Sequence, residues 1–132
     1  MGDVIRPFQV RSSRRERPRR LRLYFDSGSP YAFIKRSACR GFNAVMRLPF
    51  PEPFDGLGSG RFQAREFLHF EARLMGIWCR HAAYVVEDAI LTEDEDMLVG
   101  HDFTQKFDVS LNSRKRDVIL NKVSLRRAEI VR

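Results

Sequence analysis

The chain has 132 residues, 43% of them apolar, which suits one domain spanning 1–132 around a single hydrophobic core and argues against wholesale disorder. No apolar run approaches the roughly 18–20 residues needed to span a bilayer, and the Arg-rich N-terminus lacks the apolar stretch of a secretory signal. The two cysteines, Cys39 and Cys79, are too few for a disulfide framework or a Cys-based zinc site, so a reducing cytoplasm is the expected compartment.

The net charge of +7 is unevenly spread. Residues 1–22 hold eight Arg against Asp3 and Glu16, and residues 113–132 hold seven basic groups against Asp117 and Glu129. An acidic cluster at Glu87, Asp88 and 93–96 opposes them. Such asymmetry suits a contact with nucleic acid or a membrane surface, or simply a solvated basic face.

In chain order, residues 5–10 read as a short strand and 21–25 as a second, with Leu21, Leu23 and Phe25 alternating against Arg22 and Tyr24. The polar, Pro-containing link between them reads as an exposed hairpin loop that carries the arginines. Turn residues at 26–30 interrupt the second strand. An apolar run resumes at 31–34, and 36–42 suits a helical turn. Three Pro (49, 51, 53) and three Gly (56, 58, 60) leave no regular interior element over 47–61.

Residues 62–74 alternate with period two, apart from Glu66 and Phe67. Phe67, Phe70 and Leu74 also share a helical face, but Gly76 and the β-prone 83–86 favour strand. A short strand at 97–99 ends at Gly100, 103–107 suits one or two helical turns, and 109–111 and 118–120 flank a charged turn. Short strands at close spacing with little helix point to an all-β barrel or sandwich.

Three features could carry chemistry. Asp26-Ser27-Gly28 places a carboxylate at the end of an apolar strand, with a Gly that would permit a sharp turn. Gly56-Leu57-Gly58-Ser59-Gly60 forms a glycine-rich tip before a long strand. Leu98-Val99-Gly100 precedes a short helix near the C-terminus. Asp-Ser-Gly alone is a weak signal, because these residues crowd ordinary turns.

Taken in order, the three features resemble the retropepsin family, the retroviral and retroviral-like aspartic proteases, over about residues 8–120. The resemblance implies a closed all-β barrel of the acid-protease type with one short C-terminal helix. It also implies an aspartic endopeptidase acting on peptide or protein substrates. Asp26 would then be the catalytic carboxylate, Ser27 the hydroxyl bracing paired loops, and Gly28 the tight-turn residue. Ser29 and the flap tip, Gly56, Leu57, Gly58, Ser59 and Gly60, would contact substrate, and 98–100 would pack beneath the active loop. Ser29 stands where retroviral members usually carry Ala, and Pro30 stiffens the loop.

Peptide hydrolysis by this route needs one carboxylate to take a proton from water while another donates to the carbonyl oxygen. Two adjacent carboxylates share a proton and split their pKa values. One motif per chain therefore implies a homodimer, and no metal or cofactor is called for. Segments 4–10 and 123–131 are candidate intersubunit strands.

Two other readings remain open. One is an inactive retropepsin-like dimerisation or peptide-binding module. The other is a basic nucleic-acid-binding module, which has against it the lack of a recognised motif and of aromatics among the basic stretches. The glycine-rich stretch lacks a P-loop ending, and His69-Phe-Glu71 lacks the cysteine pair of a zinc deaminase. His69, His81 and His101 read as structural or surface residues, Asp102 as a helix-start hydrogen-bonding residue, and the phenylalanines and Trp78 as core and pocket wall.

Overall fold

The computed structural model describes residues 3–57 and 60–128. The first hairpin pairs β1 (Val4–Arg11) with β2 (Arg19–Phe25), Val4 opposite Phe25 and Val10 opposite Arg19. Alternation explains β2: Leu21, Leu23 and Phe25 point into the core while Arg20 and Arg22 face solvent. The arginine loop is tied down by Glu16, whose carboxylate accepts from the Ser12 and Asn43 amides, each at 2.7 Å, and from the Ser12 hydroxyl. Arg19 donates to the Ala38 and Arg40 carbonyls, which fastens the loop base to the turn after β3 (Phe33–Lys35).

Beyond that turn, β4 (Val45–Leu57) and β5 (Gly60–Leu74) form a long hairpin, and β6 (Ile77–Val86) returns beside β5. Then come β7 (Met97–Val99) and α1 (His101–Lys106), a small hairpin of β8 (Ser110–Asn112) and β9 (Asp117–Ile119), and α2 (Lys122–Arg127). The strand order is β1-β2-β7-β3-β6-β5, and β5 closes onto β1 through Val10–Ala72 and Arg11–Glu71, making a six-stranded barrel. The barrel interior is filled by Leu23, Phe25, Ile34, Leu68, Phe70, Met97 and Phe103 among others, all buried. The expected all-β closed barrel is what the chain adopts, with two short helices toward the C-terminus, α1 and α2, where one was expected.

Three local expectations are corrected. Residues 47–57 are strand despite Pro49, Pro51 and Pro53, because β4 is an edge with one neighbour. An edge tolerates missing donors, and its register shifts between Arg47 and Glu52 and again after Phe54. The segment 122–127 is helix, capped by Asn121, whose side chain accepts from the Val123 and Ser124 amides, so it is not an intersubunit strand as folded here. Residues 129–131 of that candidate lie outside the described residues. The N-terminal candidate, 4–10, is β1 and is built into the chain's own barrel. Trp78 is not core either: it is half-buried, with the Arg11 guanidinium stacked 3.8 Å from its ring.

Candidate active site

Phe25, 2% exposed, anchors the end of β2 in the core, and the next residue, Asp26, emerges half-buried where the strand stops. The strand beneath it is β7, which runs parallel to β2 (Phe25 opposite Val99) and antiparallel to β3 (Phe33 opposite Leu98). It therefore lies between the strands on either side of the 26–32 loop. Its three residues are all buried, as a strand covered on both faces demands.

Backbone hydrogen bonds set the loop. The Asp26 amide donates to the Val99 carbonyl at 3.0 Å, and the Ser29 amide donates to the Asp26 carbonyl at 3.1 Å, closing a tight turn. The Gly28 amide donates to Asp26 Oδ1 at 3.0 Å and so orients the carboxylate. Gly28 is not in the left-handed region; Gly41, Gly56, Gly60 and Gly76 are. The expected reason for a glycine at 28 is thus replaced by a closer one: a Cβ there would lie 3.3 Å from Asp26 Oδ1. Below the loop, a Cβ on Gly100 would come within 2.4 Å of the Ser29 and Tyr31 carbonyl oxygens. The His101 amide donates to the Ser29 carbonyl at 2.6 Å, and the buried Ser29 hydroxyl donates to the Tyr31 carbonyl at 2.8 Å.

Asp26, Gly28 and Ser29 open onto a cavity of about 490 Å³, roofed by residues 53–57 of β4 and walled by Tyr31, Phe33 and Phe54. Phe54 clamps the roof to the wall, with ring centroids 5.0 Å from Phe33, 4.8 Å from Tyr84 and 5.6 Å from Tyr31. Two titratable neighbours feel the Asp26 charge. Burial first, then Asp3 and Asp26, pushes the Tyr24 phenol up to about 12. Burial also raises the Glu95 carboxyl, with Asp26 adding to the effect and the Thr92 hydroxyl and Lys35 opposing it. Among the described residues no group of three His, Cys, Asp or Glu could hold a metal ion.

The same plan occurs in the crystal structure of the retroviral protease-like domain of Ddi1 from Leishmania major. It matches with a TM-score of 0.60 at 16% identity, over 92% of this chain and 90% of that one. EIAV protease complexed with the inhibitor HBY-793 matches at 0.51 and 12% identity, over 82% of this chain and 90% of that one. The fold is retropepsin-like. No protein-family model and no curated protein matches the chain.

Within the retropepsin-like fold, the structure brings Asp26, Gly28, Ser29, Gly56 and Leu57 around one cavity. Gly60 pairs with Leu57 at the base of the hairpin tip, whereas Gly58 and Ser59 lie outside the described residues. Ser27 is exposed and lines a different groove, with His101 and Thr104 of α1. Reasoning on the sequence expected the phenylalanines in core and pocket wall, which holds for Phe33 and Phe54, but missed the tyrosines beside them, Tyr31 and Tyr84. Their signal was one tyrosine in each of two apolar segments, 31–34 and 83–86. It also missed the contact between His81 Nε2 and Asp102 Oδ2 at 2.8 Å. Asp102 does accept from the Phe103 amide at the helix start, also at 2.8 Å.

Proposed function

We propose that two copies of this chain pair to form an aspartic endopeptidase, with one Asp26 from each copy activating the water that attacks the peptide bond. The supporting observation is the placement of Asp26 in a backbone-held loop, opening onto a cavity roofed by a glycine-tipped hairpin. A single carboxylate cannot act as base and acid in the same step, so the second must come from a twofold-related copy. In the pair, the ionised carboxylate takes a proton from water as the oxygen attacks the carbonyl carbon. The protonated one donates to the carbonyl oxygen, giving a neutral tetrahedral diol. The carboxyl that took the water proton then gives it to the leaving nitrogen while the other carboxylate takes a proton from a diol hydroxyl, and the C–N bond breaks.

In this reading Gly28 orients the Asp26 carboxylate through its amide, and Ser27, exposed at the loop apex, faces the partner. Residues 53–57 of β4 lie over an extended peptide, and no cofactor takes part. The test is cleavage of a peptide library at acidic and neutral pH, by wild type and by Asp26→Asn, across protein concentrations that bracket dimer formation. Cleavage should rise more steeply than linearly with dilute protein and vanish in the variant. Activity unchanged by Asp26→Asn would sink the proposal. A dimer that binds peptides without cutting them would instead favour a peptide-binding module on the same fold.

A further inference from the structure

A second groove begins where the Asp26 cavity ends. Tyr31 lines both, and the second, about 550 Å³, continues along the outer face of β5 and β6 toward α1. The register orders its walls: Phe67 opposes Tyr84, His69 opposes Ala82, and Arg80 follows at the position opposite Glu71, which itself lines a neighbouring groove. The Tyr31 end is therefore aromatic, with the Tyr31 and Tyr84 rings 6.0 Å apart. The far end is cationic: the exposed Lys106 donates to the Arg80 backbone carbonyl at 3.0 Å, and both residues line the groove.

Against three cations at this end, Arg80, Lys106 and Arg11, stand two carboxylates, Asp102 and Glu71, so a net positive charge remains. Both oxygens of Asp102 are engaged, one by His81 and one by the Phe103 amide, each at 2.8 Å. Glu71 is buried and held closely by Arg11 at 2.9 Å. Its other oxygen lies 3.5 Å from Arg80 Nη2, and a guanidinium offers five N–H donors. With its side chain 57% exposed, Arg80 keeps donors available for a ligand.

We propose that this groove extends the substrate site and takes the acidic flank of a peptide, with its carboxylates on Arg80 and Lys106. As a substrate extension the groove rests on the endopeptidase reading; as a peptide-binding groove it does not. From Tyr84 to Arg80 is four strand residues, about 13 Å at about 3.3 Å each. An extended peptide following β6 covers that distance in about four residues. The acidic side chains therefore lie about four positions beyond the residue seated against Tyr31 and Tyr84.

The binding test uses the full chain carrying Asp26→Asn, so that no cleavage intervenes. The probes are a fluorescein-labelled peptide with two Phe followed, about four residues later, by two Glu, and its counterpart with two Gln. In low salt the Glu peptide should bind about tenfold tighter, as two exposed charge-assisted contacts allow, and the margin should shrink with added salt. Arg80→Ala with Lys106→Ala should erase the margin. Lys106→Gln alone, at an exposed helix position, should weaken binding of the Glu peptide about threefold while leaving the melting temperature unchanged.

Equal binding of the two peptides, or a margin that survives the double substitution, overturns the proposal. With Asp26 restored, the preference should appear in KM rather than kcat. Cleavage without a Glu preference removes the groove and leaves the endopeptidase reading standing. A Glu preference lost in the double variant, without cleavage, leaves the groove and removes the endopeptidase reading.

Discussion

Gly100 lies so close under Ser29 that a single added methyl carbon would sit 2.4 Å from the Ser29 carbonyl oxygen. Neither partner can yield easily, because that oxygen accepts from the His101 amide and the Ser29 amide closes the Asp26 turn. The glycine is thus a spacing requirement imposed by the loop above it. Gly100→Ala should cost about 2–4 kcal/mol by overpacking and displace the Asp26 loop. Chemical denaturation measures the cost. A variant of wild-type stability would mean that the loop is looser than this contact implies.

Two adjacent carboxylates should respond to pH with opposite signs. Burial pulls Asp96 upward, but hydrogen bonds from the Arg22 side chain and amide outweigh it and hold its pKa below the ordinary 3.8. Its contribution to stability is therefore present above pH 3.8 and is lost as pH falls through the depressed folded value. Glu95, only 1% exposed, is raised above 4.5 by burial, so its contribution is full below 4.5 and is lost as pH rises through the folded value. At neutral pH Asp96→Asn should destabilise the protein by about 1–2 kcal/mol, since Arg22 is half exposed and the pair is partly screened. Glu95→Gln, which can keep the Thr92 bond, should stabilise it, and both differences should fade toward pH 3. Denaturation series at several pH values would expose the idea if the two variants shifted in the same direction.

Arg11 and Glu71 join β1 to β5 at the seam that closes the barrel, 2.9 Å apart and mostly buried. Truncating one member of such a pair costs more than the pair contributes, because the remaining charge stays in a poorly solvated place. Arg11→Met should cost about 3 kcal/mol, and adding Glu71→Gln should recover about half of it. Trp78 is the only tryptophan and carries the Arg11 guanidinium on its face, so its fluorescence should change in the single variant. Additive costs for the two substitutions would argue against coupling across the seam.

Phe54 joins the hairpin roof to the aromatic wall, beside Phe62 of β5, whose ring lies 5.7 Å from Phe33. A double-mutant cycle between Phe54→Ala and Phe33→Ala should give a coupling of about 1 kcal/mol, as edge-to-face pairs do. In a working peptidase, Phe54→Ala should raise KM more than it lowers kcat, because the roof positions substrate without touching the reacting atoms. A kcat effect with KM unchanged would assign Phe54 a different role.

Much of this plan was legible because two of its requirements are local. A strand ending in Asp-Ser-Gly and a buried Leu-Val before Gly100 are short patterns, and the alternation over 62–74 reports a strand with one face inward. Edge position is not local. Pro49, Pro51 and Pro53 read as breakers because nothing in the sequence says that β4 has a neighbour on one side only. The apolar spacing at 123–131 suggested a strand, yet the Asn121 cap and packing of Leu125 decide for helix over 122–127. Arg11 on Trp78 and His81 on Asp102 escaped for the same reason: their partners lie 67 and 21 positions apart, and only the closed barrel brings them together.

The position of β7 also has a consequence in time. The Asp26 loop is held from beneath by Val99 and Gly100, more than 70 residues later in the chain, and β7 must settle against both β2 and β3. Contacts across such long loops form slowly, because the entropy of closing the loop is lost before any contact repays it. During synthesis the Asp26 turn therefore stays unlocked until residues near 100 have left the ribosome, so a nascent chain shorter than that carries the Asp26 loop without its support.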